Sequence, residues 1–361
     1  MDSTREYEES ETYVPHTAAL TAPGAPFEVV RAENGSLMYA DGPRTLREFV
    51  ETTWAYGERP FLVGGDGAVL LTYGEFFAAA TALANRFVDV HGLRPGDRAA
   101  VLMGDRPDWQ TAFWATQLAG LVAVPLDAAW SREEAARVLD HCAPRVLLVD
   151  DERLPDVAGR AGERMVVFGS GGSGSSGGSG GSARAAASVG LMERYEELPA
   201  PDPYAAPPDI EIRAEDGATI LYTSPADPLR GAVATQLAQA GAAMDARFRA
   251  AADALGRGEL PGLGPAPVTR LTSPFSGPAA LFDVYGAMAA GGTLVLDGAE
   301  RPERPWRWSA DVAEGTPAVE SRVSEETGEL WLRGQSLPYA YWRDEEATAE
   351  AFTPDGWFRT G

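Results

Sequence analysis

Apolar positions along this chain switch repeatedly between the period of a helix and the runs of a buried strand. Thr45 followed by Leu46-Arg47-Glu48-Phe49-Val50 reads as a capped helix start. Residues 60–63 and 69–72 flank Gly65-Asp66-Gly67 and predict a hairpin. A helix is expected from Tyr73 to about His91, with Phe76, Ala80, Leu83 and Phe87 on its apolar face. Strands at 98–103, 121–125, 146–149 and 165–168 are interleaved with helices at 108–119 and 131–141. Further on, the run L-M-E-R-Y-E-E-L is helix-like. Residues 232–257 predict a long amphipathic helix, with Leu237, Gly241, Met244, Phe248, Ala251 and Leu255 on one face. Strand 268–271, helix 277–290 and strand 292–296 follow, and then an aromatic-rich, less helical stretch from 328 onward. Strands alternating with helices imply an α/β fold built on mainly parallel sheets with helices on their faces.

Composition divides this pattern into segments. The expected organisation is an acidic, then Pro-rich flexible tail (1–25), a first βα subdomain (26–168), a Gly/Ser flexible loop (169–186), a second βα subdomain (187–300) and a shortened β-rich subdomain (301–361). The Gly/Ser tract carries no chemistry and would span roughly 20 Å as a random coil.

The chain has 361 residues, 45% hydrophobic and 23% charged, in the range of a globular protein with a substantial core. No apolar run of membrane-spanning length occurs, and the acidic N-terminus lacks the apolar stretch of a secretion signal, so a cytoplasmic protein with no membrane partner is expected. The net charge of −23 disfavours nucleic acid as a partner. One cysteine, Cys142, excludes an internal disulfide, and His16, His91 and His141 have no metal-ligand spacing, so no metal is expected. Cys142 beside His141 is not a nucleophile pair, because sequence neighbours on a helix point apart. All 30 basic residues are arginine, so no lysine of this chain can form a Schiff base or neutralise a phosphate.

Residues 219–231, T-I-L-Y-T-S-P-A-D-P-L-R-G, have the outline of a phosphate-binding loop. Tyr222 ends an apolar strand, Thr223 and Ser224 supply hydroxyls, and Arg230-Gly231 lead into a helix. A phosphate cradle needs glycines and free N–H groups. Here Pro225 and Pro228 have no N–H, and Asp227 repels phosphate.

Three stretches together resemble the large N-terminal domain of the adenylate-forming (ANL) superfamily of acyl-CoA synthetases, adenylation domains and luciferases. They are Leu71-Thr72-Tyr73-Gly74-Glu75 with Leu93-Arg94-Pro95-Gly96-Asp97-Arg98, the 219–231 loop, and the run from Gly328-Glu329-Leu330-Trp331-Leu332-Arg333-Gly334 to Gly356-Trp357-Phe358-Arg359-Thr360-Gly361. The resemblance implies layered βα subdomains around parallel sheets, a small β-rich subdomain, and a reaction that joins a carboxylate to ATP with Mg2+. In this family the loop usually reads Y-T-S-G-T-T-G-x-P-K-G. Tyr222, Thr223, Ser224 and Gly231 match it, while Arg230 stands at the lysine position. Losing two or three charge-assisted hydrogen bonds of about 1.5–3 kcal/mol each should weaken triphosphate binding by several kcal/mol. The resemblance also places Phe275, Ser276 and Gly277 at the acyl pocket, where the family's histidine has no counterpart. Residues 297–327 lack the family's Y-G-x-T-E motif, and the sequence ends where the family continues into a C-terminal domain, which is therefore expected to be absent.

Three readings follow. The first is a degenerate homologue that has lost ATP-dependent adenylation, needs no cofactor, has no catalytic residue, and binds an acyl group, an acyl-carrier protein or an active paralogue, as a homo- or hetero-oligomer. The second is an ATP-independent enzyme of altered chemistry using Thr223, Ser224, Asp227, Arg230 and Ser276. The third is an acyl-CoA or adenylate ligase active only with a partner. The aromatics Trp331, Tyr341, Trp342, Trp357 and Phe358 are expected to pack a small β core.

Overall fold

The computed structural model describes residues 18–160, 163–169, 192–222, 224–226, 228–297, 316–324 and 327–360. In chain order the strands are β1 (Val29–Arg31), β2 (Leu37–Tyr39), β3 (Pro60–Gly64), β4 (Val69–Thr72), β5 (Arg98–Leu102), β6 (Val122–Pro125), β7 (Val146–Asp150), β8 (Arg164–Phe168) and β9 (Met192–Arg194). They continue with β10 (Gly217–Tyr222), β11 (Gly231–Thr235), β12 (Val268–Arg270), β13 (Thr293–Leu296), β14 (Val319–Val323), β15 (Leu330–Gly334), β16 (Ala340–Tyr341) and β17 (Phe358–Arg359). The helices used below are α1 (Leu46–Glu51), α2 (Tyr73–Asp89), α3 (Pro107–Leu118), α4 (Arg132–Cys142), α5 (Gln236–Gly256), α6 (Pro278–Ala290) and α7 (Glu345–Ala351).

An eight-stranded sheet runs in the order β16-β11-β10-β6-β5-β7-β8-β9. It is parallel from β10 through β9 and antiparallel at the β10–β11 and β11–β16 pairs. A four-stranded sheet has the order β12-β13-β3-β4, with only β3–β4 antiparallel. Each of these sheets takes strands from both sides of the Gly/Ser tract. The third, β14-β15-β17, is antiparallel. The mixed α/β layering around parallel sheets is the architecture expected from the alternation of periods.

Local sequence accounts for the helix starts. Thr45 accepts from the Glu48 N–H, Thr72 and Glu75 form a reciprocal capping box, and Ser131 and Glu134 form another. Helix α3 is buried at every position from Trp109 to Leu118, and packs on β5, β6, α1 and α2. Its side chains therefore belong to one core that joins both large sheets, with Phe61, Phe76, Trp114, Phe275 and Tyr285 among its members. The opposite face of the eight-stranded sheet packs Leu102, Val124, Leu147 and Val149 against Val138, Leu139 and Cys142 of α4. Alternation along each buried strand supplies both faces.

Three local expectations change. Residues 231–235 form strand β11, not the first turn of a helix, because Ala232, Val233 and Ala234 pair antiparallel with β10. The helix starts only at Gln236, where Thr235 caps it through the Ala238 N–H. The helix-like L-M-E-R-Y-E-E-L run is strand β9 followed by a short 3-10 turn. Tertiary pairing overrides propensity there: Glu193 accepts from Nε and Nη2 of Arg86, at 2.6 and 2.5 Å, and lies 3.0 Å from Nε2 of His91. Finally, β16 joins the eight-stranded sheet and not the small one.

Of the expected flexible tail, residues 1–17 lie outside the described residues, as does the Gly/Ser tract from 170 to 186. Leu20 packs with Phe27, Tyr39, Met244 and Phe248 over α5. Beneath them the Tyr39 hydroxyl donates to Asp245 at 2.6 Å, and Ser336 donates to the second carboxylate oxygen. Asp245 is fully buried, and burial pushes its carboxyl up to about 6.

Candidate functional site

The 219–231 segment folds as the hairpin of β10 and β11. Its flanks are buried and its tip is not. Tyr222 faces Gly231 across the hairpin. A Cβ at Gly231 would lie 2.7 Å from both Ile220 Cγ2 and Tyr222 Cζ. The glycine at the end of the motif is thus required by cross-strand packing, whatever the loop binds.

Tyr222 is anchored from the neighbouring layer. Its hydroxyl is 2.7 Å from Nδ1 of His141, at the C-terminal end of α4. Burial raises the Tyr222 phenol and lowers the His141 imidazole, with Arg343 lowering the latter further. The His141 carbonyl accepts from Trp342 Nε1 at 3.3 Å and from Arg343 at 3.4 Å. Arg98 donates to the Cys142 and Ala143 carbonyls, so cations gather where the α4 dipole is negative. Arg343 itself holds a left-handed backbone, with φ 55°. Cys142 is buried, and burial pushes its thiol up to about 12, which makes it inert as a nucleophile.

Pro225 and Pro228 have no N–H, and the Ala226 N–H donates to Ser224 Oγ at 3.1 Å in a local turn. Arg230 is exposed and stacks its guanidinium 5.5 Å over the ring of Tyr341. It leads into strand β11 and not into a helix. Thr223 and Asp227 lie outside the described residues.

Phe275, Ser276 and Gly277 lie elsewhere, in the turn between β12 and α6. The Phe275 ring is fully buried and stacks on Trp109 at 5.1 Å, and Trp109 stacks on Phe113 at 5.2 Å. The Phe275 N–H donates to Asp105 at 2.8 Å. That ring is committed to the core. Ser276 is half-buried, and Gly277 precedes Pro278 at the start of α6. The structure therefore groups Tyr222, Ser224, Arg230 and Gly231 around the hairpin, and gives Phe275 a separate set of partners.

Sequence reasoning missed the polar support under this hairpin. Gln117 of α3 donates to the Ala218 carbonyl and accepts from Gln236, whose oxygen accepts from the Leu46 N–H. Gln239 donates to Thr219 and accepts from the Tyr285 hydroxyl. Glutamines at helix positions that are otherwise apolar were the available signal. Among the described residues, no group of three His, Cys, Asp or Glu side chains could hold a metal, and no helix is long and apolar enough to cross a membrane.

Comparison with known proteins bears on the whole arrangement. The family described as "AMP-binding enzyme" matches residues 49–323. An L-proline–[L-prolyl-carrier protein] ligase of Streptomyces coelicolor is 37% identical over 113 residues, covering 31% of this chain and 20% of that protein. A 4-coumarate–CoA ligase-like protein of Oryza sativa is 30% identical over 236 residues, covering 64% of this chain and 38% of that one. The chain thus spans well under half the length of these two relatives. The A domain of a carboxylic acid reductase from Segniliparus rugosus, solved with AMP and a carboxylic acid, superposes with a TM-score of 0.64 at 17% identity, over 88% of this chain and 72% of that one.

Proposed function

Because this chain belongs to the AMP-binding enzyme family, of adenylate-forming, acyl-CoA ligase-like proteins, we propose that it is a member that does not itself adenylate a carboxylate, and that it binds an acyl group or an acyl-carrier protein as an accessory or scaffold. The observation that carries this reading is the tip of the β10–β11 hairpin. The frame of the family loop is kept, with Tyr222 and Gly231 packed across the strands. The atoms that would grip phosphate are not: two prolines replace N–H donors, the Ala226 N–H is used locally, and Arg230 lies on Tyr341. Stabilising charge on the phosphates is most of the task in adenylation.

A second reading has support of its own. The two relatives described above are named as ligases. A ligase whose ATP site is completed by a partner would keep that chemistry while its own loop tip stays short of N–H donors. One experiment addresses both. Calorimetric titration with ATP–Mg2+ is combined with pyrophosphate release over a panel of carboxylic acids that includes proline and 4-coumarate. The expected outcome is no micromolar ATP binding and no pyrophosphate, with a thermal shift from an acyl-CoA or a carrier protein. Micromolar ATP binding or turnover by the chain alone overturns the first reading, and turnover only on adding a carrier protein or paralogue favours the second.

A further inference from the structure

A groove of about 930 Å³ lies outside the hairpin and the Phe275 turn. It is bounded by the C-terminal half of α5, by α6, by the Pro- and Gly-rich segment 259–267 and by Leu20 and Phe27 of the N-terminal segment. Its size falls in the range of small-molecule sites.

The charges along its walls are unequally satisfied. Arg257 pairs with Glu259 at 2.9 Å. Arg249 stacks 4.8 Å over the Phe282 ring, and both it and Asp253 have further partners. Arg59 stacks on Tyr56, and Arg247 is turned to solvent. Asp283 of α6 is the exception. It lines the groove, is only partly exposed, and makes no hydrogen bond or ion pair with any described residue. Burial pushes its carboxyl up to about 6. Partly desolvated carboxylates ordinarily have a counter-charge. The neighbouring residue Phe282 supplies an aromatic face beside this one.

We propose that this groove binds a small organic cation, an amine whose ammonium pairs with Asp283 and whose apolar body lies against Phe282 and Leu20. The net charge of −23 steers cations toward the molecule at long range, and the unpaired carboxylate is the local feature that would hold one. Of the arginines on its walls, Arg257 is ion-paired, Arg59 and Arg249 are stacked on aromatic rings, and Arg247 is exposed.

The test uses 3-phenylpropylamine, the alcohol of the same skeleton and the corresponding carboxylate, each titrated calorimetrically into the full chain. The amine should bind saturably at pH 7.5, with the alcohol and the acid at least about tenfold weaker, ~1.4 kcal/mol. Because Asp283 titrates near 6, amine affinity should fall about tenfold between pH 7.5 and pH 5 as the carboxyl takes up its proton. Asp283→Asn, which keeps the shape, should remove the preference for amine over alcohol. The pH dependence is read on the unaltered chain, so the test survives a variant that folds badly. Three results overturn the proposal: no saturable amine binding up to about 10 mM, tighter binding of the carboxylate, or an amine affinity that neither Asp283→Asn nor acidification changes.

Discussion

The β10–β11 hairpin and the turn from Leu271 to Pro278 are the two places where the resemblance puts small-molecule chemistry, and they are built in opposite ways. In the hairpin, the buried part is the frame and the motif tip is exposed: Tyr222 and Gly231 pack inside while Ala226 and Arg230 face solvent. In the turn, the motif residue is itself the buried part, since Phe275 completes a stack with Trp109 and Phe113. A motif position is free to change chemistry only where the fold does not also use it for packing. The hairpin tip was free in this sense, and it carries prolines and an aspartate. The turn was not, and it kept its aromatic ring.

This contrast sets an order of effects. Phe275→Ala should be the most damaging change, costing about 3–5 kcal/mol, because it opens a cavity in the shared core. Chemical denaturation of the variant measures it, and a loss under about 1 kcal/mol would mean that the ring is not part of the core stack. Gly231→Ala should come next, at about 1–3 kcal/mol, since the new methyl group must displace Ile220 or Tyr222. The same denaturation series checks it.

The hairpin base should also respond to pH, and the sign follows from His141. Its folded pKa lies below its ordinary value of 6.5, so the unfolded chain takes up the proton more readily. Its contribution to stability is present above about 6.5 and is lost as pH falls below that value. The expected result is that stability drops more between pH 8 and pH 5 in the unaltered chain than in His141→Asn, a difference readable from urea midpoints at the two pH values. Equal drops would place the titrating group elsewhere. Tyr222→Phe, which removes only the hydroxyl, should cost about 0.5–1.5 kcal/mol at pH 8. The smallest effect belongs to the tip: Ser224→Ala loses one local turn contact on the surface and should stay within about 0.5 kcal/mol by thermal denaturation.

Much of this was legible in sequence for identifiable reasons. Thr72, Ser131 and their glutamates announce helix starts because capping is local. The wholly apolar faces of β5 to β8 announce a buried parallel sheet because both of their surfaces are covered. The 231–235 run reads as helix because alanine favours helix over strand, and only pairing with β10 and β16 on either side of it overrides that preference. Glu193 in β9 looked like a helix-surface charge, since its partners Arg86 and His91 are about a hundred residues away in sequence. Gln117, Gln236 and Gln239 looked ordinary for the same reason.

By itself the sequence determined the α/β alternation, the family and the altered chemistry of the loop tip, because helix caps, periodicity and the loss of N–H donors at Pro225 and Pro228 are properties of neighbouring residues. Only the tertiary structure decided that Gly231 serves Tyr222, that Arg230 is held on Tyr341, that Phe275 belongs to the core and that Asp283 lines a groove with no ion pair to a described residue. Each of these depends on which distant side chains share a space, and on how much water that packing removes, and spacing along the chain carries neither.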